Sequence, residues 1–361
     1  MTELPAGELP AGELLAAHTT LRLGGPAARF VTVSDTAELV RRVLEVDRAG
    51  EPLLVLGGGS NLVIADEGFD GTVLAVRTRG LSAEVESCCG AMLTVAAGEP
   101  WDAVVAHAVT QGWSGMETLS GIPGLTGATP IQNVGAYGSE VAETLARVRA
   151  LDRQSGRVVL LTSSECGFEY RSSRFKAEPD RWVILEVSFQ LPLNDRSQRV
   201  LYPELASALS LDKGGRASMA AVRAAVLSLR AAKGMVVDVS DPDSVSAGSF
   251  FTNPVLTPPT YEALVAAVHA ELGPNVTPPA YRAANGATKT SAAWLIEHAG
   301  FGRGFGAGAV GISSKHTLAL VNRGSATTGD LLALARQVRD GVQNRFGVTL
   351  EPEPVLVGCS L

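Results

Sequence analysis

From residue 31 onward, apolar positions switch repeatedly between a spacing of about two residues and one of about 3.6, the marks of strand and helix. Asp35 and Glu38 stand at capping-box spacing, with Asp in place of the usual Ser or Thr. Leu39, Val40, Val43 and Leu44 follow as an apolar stripe that Gly50 ends, which predicts a helix. Next come strand-like runs at Leu53–Leu56, Thr72–Val76 and Met92–Ala97, and a helix over Trp101–Gln111 packed through Val104, Val105 and Ala108. The turn-rich stretch Leu119–Gly138 closes this first part.

A second mixed region, Val141–Val237, carries strands near Val148–Leu151, Val158–Leu161 and Val183–Leu191 and an Ala-rich helix over Ala220–Ala232. The turn at Asp241–Asp243 reads as a boundary. Beyond it lie helices around Tyr261–Leu272 and Ala292–Ala299, a strand Thr317–Asn322, and a last helix Asp330–Phe346. That helix gathers Leu331, Leu334, Val338, Val342 and Phe346 on one face. The short run Val355–Val357 needs a sheet to join, and the N-terminal one is the candidate.

Length and composition narrow the class. At ~150 residues per domain, a chain of 361 residues holds two or three domains. Hydrophobic residues at 46% against charged residues at 19% exclude a disordered chain and suffice for a sizeable core. The 39 glycines and 19 prolines point to many tight turns. A net charge of −7 gives no global field for nucleic acid, although a locally positive pocket can still take a phosphorylated ligand. Five lysines (Lys176, Lys213, Lys233, Lys289 and Lys315) among 30 basic residues read as a coding bias. Cys88, Cys89, Cys166 and Cys359 form no CxxC and the histidines are scattered, so no metal site or disulfide framework is expected, and a reducing compartment is. No apolar run approaches the ~18–20 residues of a membrane span. The repeat ELPAGELPAGEL (Glu3–Leu14) lacks the basic start of a signal peptide and reads as a disordered tail. A cytoplasmic location without membrane attachment is the expectation.

Several segments carry candidate chemistry, each with a plainer reading beside it. LGGGSN (Leu56–Asn61) follows a buried strand and can form a nest of backbone N–H groups for a phosphate, or simply turn the chain. A GxGxxG at Gly306, Gly308 and Gly311 is discounted, because no strand precedes it and a strand follows. SGIPGLTGATPIQNVGAYG (Ser120–Gly138) is too rich in glycine for ordinary helix or strand. Its backbone either lies against a planar, hydrogen-bonding cofactor or forms a surface loop. EYRSSRFK (Glu169–Lys176) is an anion-gripping segment or a solvated basic face. In AGSFFTNP (Ala247–Pro254), Ser249 stands beside Phe250 and Phe251, as a proton donor in a dry pocket or as a satisfied core serine. LEPEP (Leu350–Pro354) holds Glu353 between prolines, as a fixed carboxylate or part of a surface tail.

Taken in order, these segments resemble the UDP-N-acetylenolpyruvoylglucosamine reductases of peptidoglycan synthesis and cell-wall biogenesis, flavoenzymes of the vanillyl-alcohol-oxidase type. The resemblance runs from Thr19–Ala27 to LEPEP. It implies an α+β protein: a two-subdomain FAD-binding fold of that type with a smaller α+β substrate domain. After a tail over 1–18, the first FAD subdomain would be 19–80 with 347–361, the second 81–237, and the substrate domain 238–346. The C-terminal strand would return to the first subdomain.

Site roles follow from the same resemblance. FAD, bound non-covalently, would take its pyrophosphate against Gly57, Gly58, Gly59, Ser60 and Asn61. Ser120, Ile122, Pro123, Gly124, Gly127 and Ala128 would line the flavin, with Gln132, Asn133 and Gly135. Ser249 matches the proton donor, and Arg171 and Glu353 the other catalytic positions. Tyr202, in LYPEL, resembles the mobile tyrosine of the longer subtype, which closes over the substrate diphosphate. Tyr137, Tyr170, Lys233 and Asn253 match further substrate-contacting positions. NADPH and the enolpyruvyl nucleotide sugar would be the partners, with no nucleic acid and no obligate protein partner. Thr252 stands where a lysine is common, Pro354 replaces the usual valine, and Leu125, Thr126 and Thr129 alter the flavin loop. A related FAD-dependent oxidase and a catalytically silent nucleotide-sugar sensor are the alternatives. No histidine lies in the two glycine loops to tether a flavin, and a sensor has no use for Arg171, Ser249 and Glu353 together.

Overall fold

The computed structural model describes residues 12–361 and the backbone of residues 7–9. Two compact units divide the chain. The first takes Ala27–Gly59 and Phe69–Val236 with the N-terminal residues up to Glu13; the second takes Leu14–Pro26, Ser60–Gly68 and Val237–Leu361.

In the first unit, Asp35 caps the helix Thr36–Ala49 by accepting from the Glu38 N–H at 2.8 Å, and Gly50 ends it in the left-handed conformation at φ 68°. The helix crosses over between two strands of a four-stranded sheet ordered Gly7–Leu9, Ala27–Val33, Phe69–Val76, Leu53–Leu56, of which the first pair is antiparallel and the rest parallel. A second sheet is wholly antiparallel, ordered Arg157–Thr162, Leu145–Asp152, Trp182–Leu191, Gly90–Ala96, Leu81–Glu86. One core serves both, and in it Trp101 of the helix Trp101–Gln111 packs on Phe189 with ring centroids 5.7 Å apart.

The second unit pairs strands Ser246–Ser249, Ala319–Asn322 and Val310–Ile312 antiparallel. Helices Pro258–Leu272, Ala292–His298 and Thr328–Phe346 build its core with them. Thr327 and Asp330 form a capping box on the longest helix, whose Leu331, Leu334, Val338, Val342 and Phe346 are buried as the spacing predicts. Gly311 lies in a strand, so the GxGxxG opens no helix.

Three expectations change. Residues 1–6, 10 and 11 of the expected tail lie outside the described residues. Where 1–18 is described, it is structured: Gly7–Leu9 pairs with Ala27–Val33, and Leu15, in the 3-10 turn Leu15–His18, is fully buried. Backbone pairing to a strand edge needs no apolar signature, so the repeat concealed it. Val355–Val357 does find a strand from the N-terminal third, pairing parallel with Leu62–Ile64, but as a two-stranded ribbon inside the second unit. The segments Leu14–Pro26 and Ser60–Gly68 likewise belong to the second unit, not with the sheet of the expected first subdomain.

Candidate active site

The first unit assembles the glycine loops. Arg77, at the end of strand Phe69–Val76, donates from Nη1 to the Gly57 carbonyl at 3.0 Å, and burial lowers its pKa from the ordinary guanidinium value. Gly59 takes the left-handed conformation at φ 61°. A Cβ on Gly58 would lie 2.7 Å from the Gly124 Cα, so the two glycine-rich loops meet backbone to backbone. Among the described residues, no atom beyond Gly57 and its two chain neighbours lies within 4 Å of the place a Gly57 Cβ would take. The second loop is tied down by its own backbone: the Thr126 and Gly127 N–H groups donate to the carbonyls of Glu99 and Ala97 at 2.8 and 2.9 Å. Ser120 Oγ, fully buried, donates to the Glu117 carbonyl at 2.7 Å.

The stretch read as unable to form regular structure does form some. Thr126–Ala128 is a 3-10 turn, and Gly135–Ala136 pairs with Ser139–Glu140 in a tight hairpin. Tyr137 at φ 50° and Gly138 at φ 87° make its two-residue turn, both left-handed as a type I′ turn requires. Such a turn depends on two positive-φ residues, and Tyr in the first gave no signal. Asn133, left-handed at φ 46°, uses its side chain as scaffold: Nδ2 donates to Glu140 Oε2 at 2.7 Å, and Oδ1 accepts from the Ala142 N–H at 3.0 Å.

Arg171, also left-handed at φ 53°, donates from Nη2 to the Gly135 carbonyl at 3.0 Å and lies 5.3 Å over the Tyr170 ring. Lys176 Nζ donates to the Arg171 carbonyl at 3.0 Å. Three left-handed non-glycine residues in one site store strain of the kind that gathers where geometry serves function. Tyr137, Tyr202 and Lys233, far apart in sequence, come together: the two rings meet edge-on at 5.5 Å, and Lys233 Nζ lies 5.7 Å from the Tyr137 ring while bonding Glu204 at 2.6 Å. Burial pushes the Tyr137 phenol up to about 12, against an opposing pull from Arg230.

Arg230 was not singled out by sequence. It stands one helical turn before Lys233, donates from Nη2 to the Met235 carbonyl at 2.8 Å, and keeps a buried Nε with no hydrogen-bond partner among the described residues. Its only sequence signal was that spacing. Arg77 had none beyond ending an apolar run.

The second unit holds Ser249, Glu353, Ser60 and Asn61. Ser249, half-buried, ends the strand Ser246–Ser249 opposite Ala319, after Gly248 at φ 75°. Phe250 and Phe251, each 1% exposed and 5.1 Å apart edge-on, anchor this segment in the core. The LEPEP segment runs beside it: the Glu353 N–H donates to the Phe250 carbonyl at 2.8 Å, and the Thr252 N–H to the Glu351 carbonyl at 3.0 Å. Asn61 Nδ2 donates to the Glu353 carbonyl at 3.3 Å, and the Val355 N–H to the Asn61 carbonyl at 2.9 Å. Three segments spread over nearly 300 residues of sequence are thus laced together around Glu353. Asn253 Oδ1 is spent accepting the Ala292 N–H at the start of a helix, at 2.9 Å.

These residues fit a flavin nucleotide. The bare Gly57 backbone admits close approach, the Gly58–Gly124 contact joins the two loops into one cradle, and Thr118 Oγ1, two residues before Ser120, is buried without a partner among the described residues.

Comparison with known proteins agrees. A family model described as an FAD binding domain matches residues 27–162. A second, described as the C-terminal domain of UDP-N-acetylenolpyruvoylglucosamine reductase, matches residues 241–357. Curated proteins of that name from Thermobifida fusca and Streptomyces coelicolor are each 55% identical over 96% of this chain, covering 97% and 90% of their own lengths. The crystal structure of the reductase from Thermus caldophilus superposes with a TM-score of 0.64 at 25% identity, covering 98% of this chain and 100% of that one. With the glycine cradle, the laced Ser249 and Glu353 segments and the full length of these matches, the chain belongs to the UDP-N-acetylenolpyruvoylglucosamine reductase family.

Proposed function

We propose that Ser249, Arg171 and Glu353 carry the chemistry of this family's reaction in this chain, reduction of the enolpyruvyl ether of UDP-N-acetylglucosamine enolpyruvate to the lactyl ether of UDP-N-acetylmuramate. The enzyme is an FAD-dependent oxidoreductase of peptidoglycan synthesis. FAD, when bound, supplies the hydride to the terminal vinyl carbon, and NADPH is the reductant proposed to recharge it. Hydride addition at that carbon leaves negative charge on the adjacent carbon, delocalised into the substrate carboxylate. Arg171, braced by the Gly135 carbonyl and Tyr170, balances that charge. Two unit charges ~4 Å apart attract by about 4 kcal/mol at an effective dielectric of ~20. Ser249 then gives its proton to the carbanion, which is basic enough to take one from a hydroxyl. Glu353 acts protonated, since an ionised carboxylate would repel the substrate's. Tyr137, Tyr202 and Lys233 hold the substrate's diphosphate side.

The observation that carries these roles is the backbone lacing of the Ser249 segment to Glu353, which holds donor and acid on one rigid strip. Ser249→Ala is expected to lower turnover by ~10²–10⁴-fold with flavin content unchanged. Glu353→Gln, which keeps the size but cannot give up a proton, should lower turnover in the same way. Full turnover in either variant would remove that residue from the mechanism.

The binding partners supported are small molecules. Among the described residues, no helix is long and apolar enough to cross a membrane. A cytoplasmic location is proposed, as suits a soluble nucleotide-sugar substrate.

A further inference from the structure

We propose that the tip of the hairpin formed by Leu81–Glu86 and Gly90–Ala96 binds a zinc-class divalent cation through the Cys88 and Cys89 thiolates and the Glu86 carboxylate. The strands pair with Glu86 opposite Gly90, leaving a three-residue turn that carries both cysteines. Gly90 takes φ 90°, and the Cys89 N–H closes the turn onto the Glu86 carbonyl at 3.2 Å. Gln190, on the strand Trp182–Leu191, donates to the Cys89 carbonyl at 2.6 Å and pins the tip to a third segment. The backbone that presents the thiols is therefore fixed.

Both thiols are free and exposed, with sulfurs 3.1 Å apart, and Glu86 Oε2 is 3.9 Å from Cys88 Sγ. All three ligand atoms lie within 4.8 Å of one another. Sequence spacing gave no metal motif here because the ligands occupy a single turn. Adjacent cysteines are poorly built to pair with each other, since consecutive Cα atoms are ~3.8 Å apart and disulfides usually span about 4.4–6.8 Å. They are well placed to chelate. A tetrahedral zinc ~2.3 Å from each sulfur sets the thiolates about 3.8 Å apart, a small opening for two exposed side chains, and takes a carboxylate oxygen at ~2.1 Å. Two sulfurs with one oxygen select a borderline cation. Magnesium and calcium want oxygen alone, and cuprous ion favours sulfur alone. Water completes the fourth position.

The test is equilibrium dialysis of the reduced holoenzyme against zinc, with a phosphine reductant to keep the thiols free. One zinc per chain is expected, with affinity lowered roughly tenfold or more in Cys88→Ser, Cys89→Ser and Glu86→Gln. It should be unchanged in Cys359→Ser, and magnesium should not compete. Normal turnover and flavin content would certify that the tip variants fold. Binding that survives Cys88→Ser with Cys89→Ser, or the lack of a one-to-one zinc in the wild-type protein, would overturn the proposal. Unchanged affinity in Glu86→Gln would overturn the three-ligand set.

Discussion

The residue best placed to report on the proposed substrate side of the site is Tyr137. Its phenol is half-buried between Tyr202 and Lys233, and burial raises its pKa from 10.0 to about 12. The unfolded chain would ionise this group first, so the stability that the neutral phenol contributes is complete below pH 10 and is lost as pH rises toward 12. Tyr137→Phe is therefore expected to flatten the fall in stability across that window, read by denaturant unfolding at a series of pH values. A fall of the same steepness in the variant would mean that Tyr137 titrates normally. Ser249, Arg171 and Glu353 were open to proposal from sequence because each sits in a dense local motif. Arg77 and Arg230 were not, because their value lies in what they touch, a loop carbonyl and a chain reversal, and neither contact leaves a local pattern.

At the scale of elements, the two glycine loops can be tested against each other. A methyl at Gly58 meets the backbone of Gly124 at 2.7 Å, which cannot yield without parting the loops, so Gly58→Ala should lower both thermal stability and flavin content. Among the described residues, Gly57→Ala meets no atom beyond its chain neighbours within 4 Å, and Gly57 is not left-handed, so it should leave the flavin-free protein as stable as wild type. A bound cofactor lying on that backbone would be pushed off, lowering the flavin-to-protein ratio of the purified variant. Full flavin content in Gly57→Ala would place the cofactor elsewhere. Helices were read well, since Asp35, Gly50 and the buried face ending at Phe346 act locally. The strand Leu81–Glu86 escaped notice because all six residues are exposed, leaving no buried face to set a period. The hairpin at Gly135–Glu140 escaped because its pairing is only two residues long on each side.

Over the whole molecule, sequence order is a poor guide to which segments fold together. The second unit draws Leu14–Pro26 and Ser60–Gly68 out of the N-terminal third to join Val237–Leu361. Periodicity names elements, yet it cannot say that Leu62–Ile64 waits for Val355–Val357, nearly 300 residues on. In this division one unit ends at Val236 and the other resumes at Val237. The most direct test is the loss of NADPH absorbance catalysed by the purified flavoprotein, with and without UDP-N-acetylglucosamine enolpyruvate. Rapid loss that requires the enolpyruvyl sugar and matches it mole for mole is the expected result; loss that ignores the sugar and consumes oxygen, or no loss in a protein that still binds it, would contradict the account.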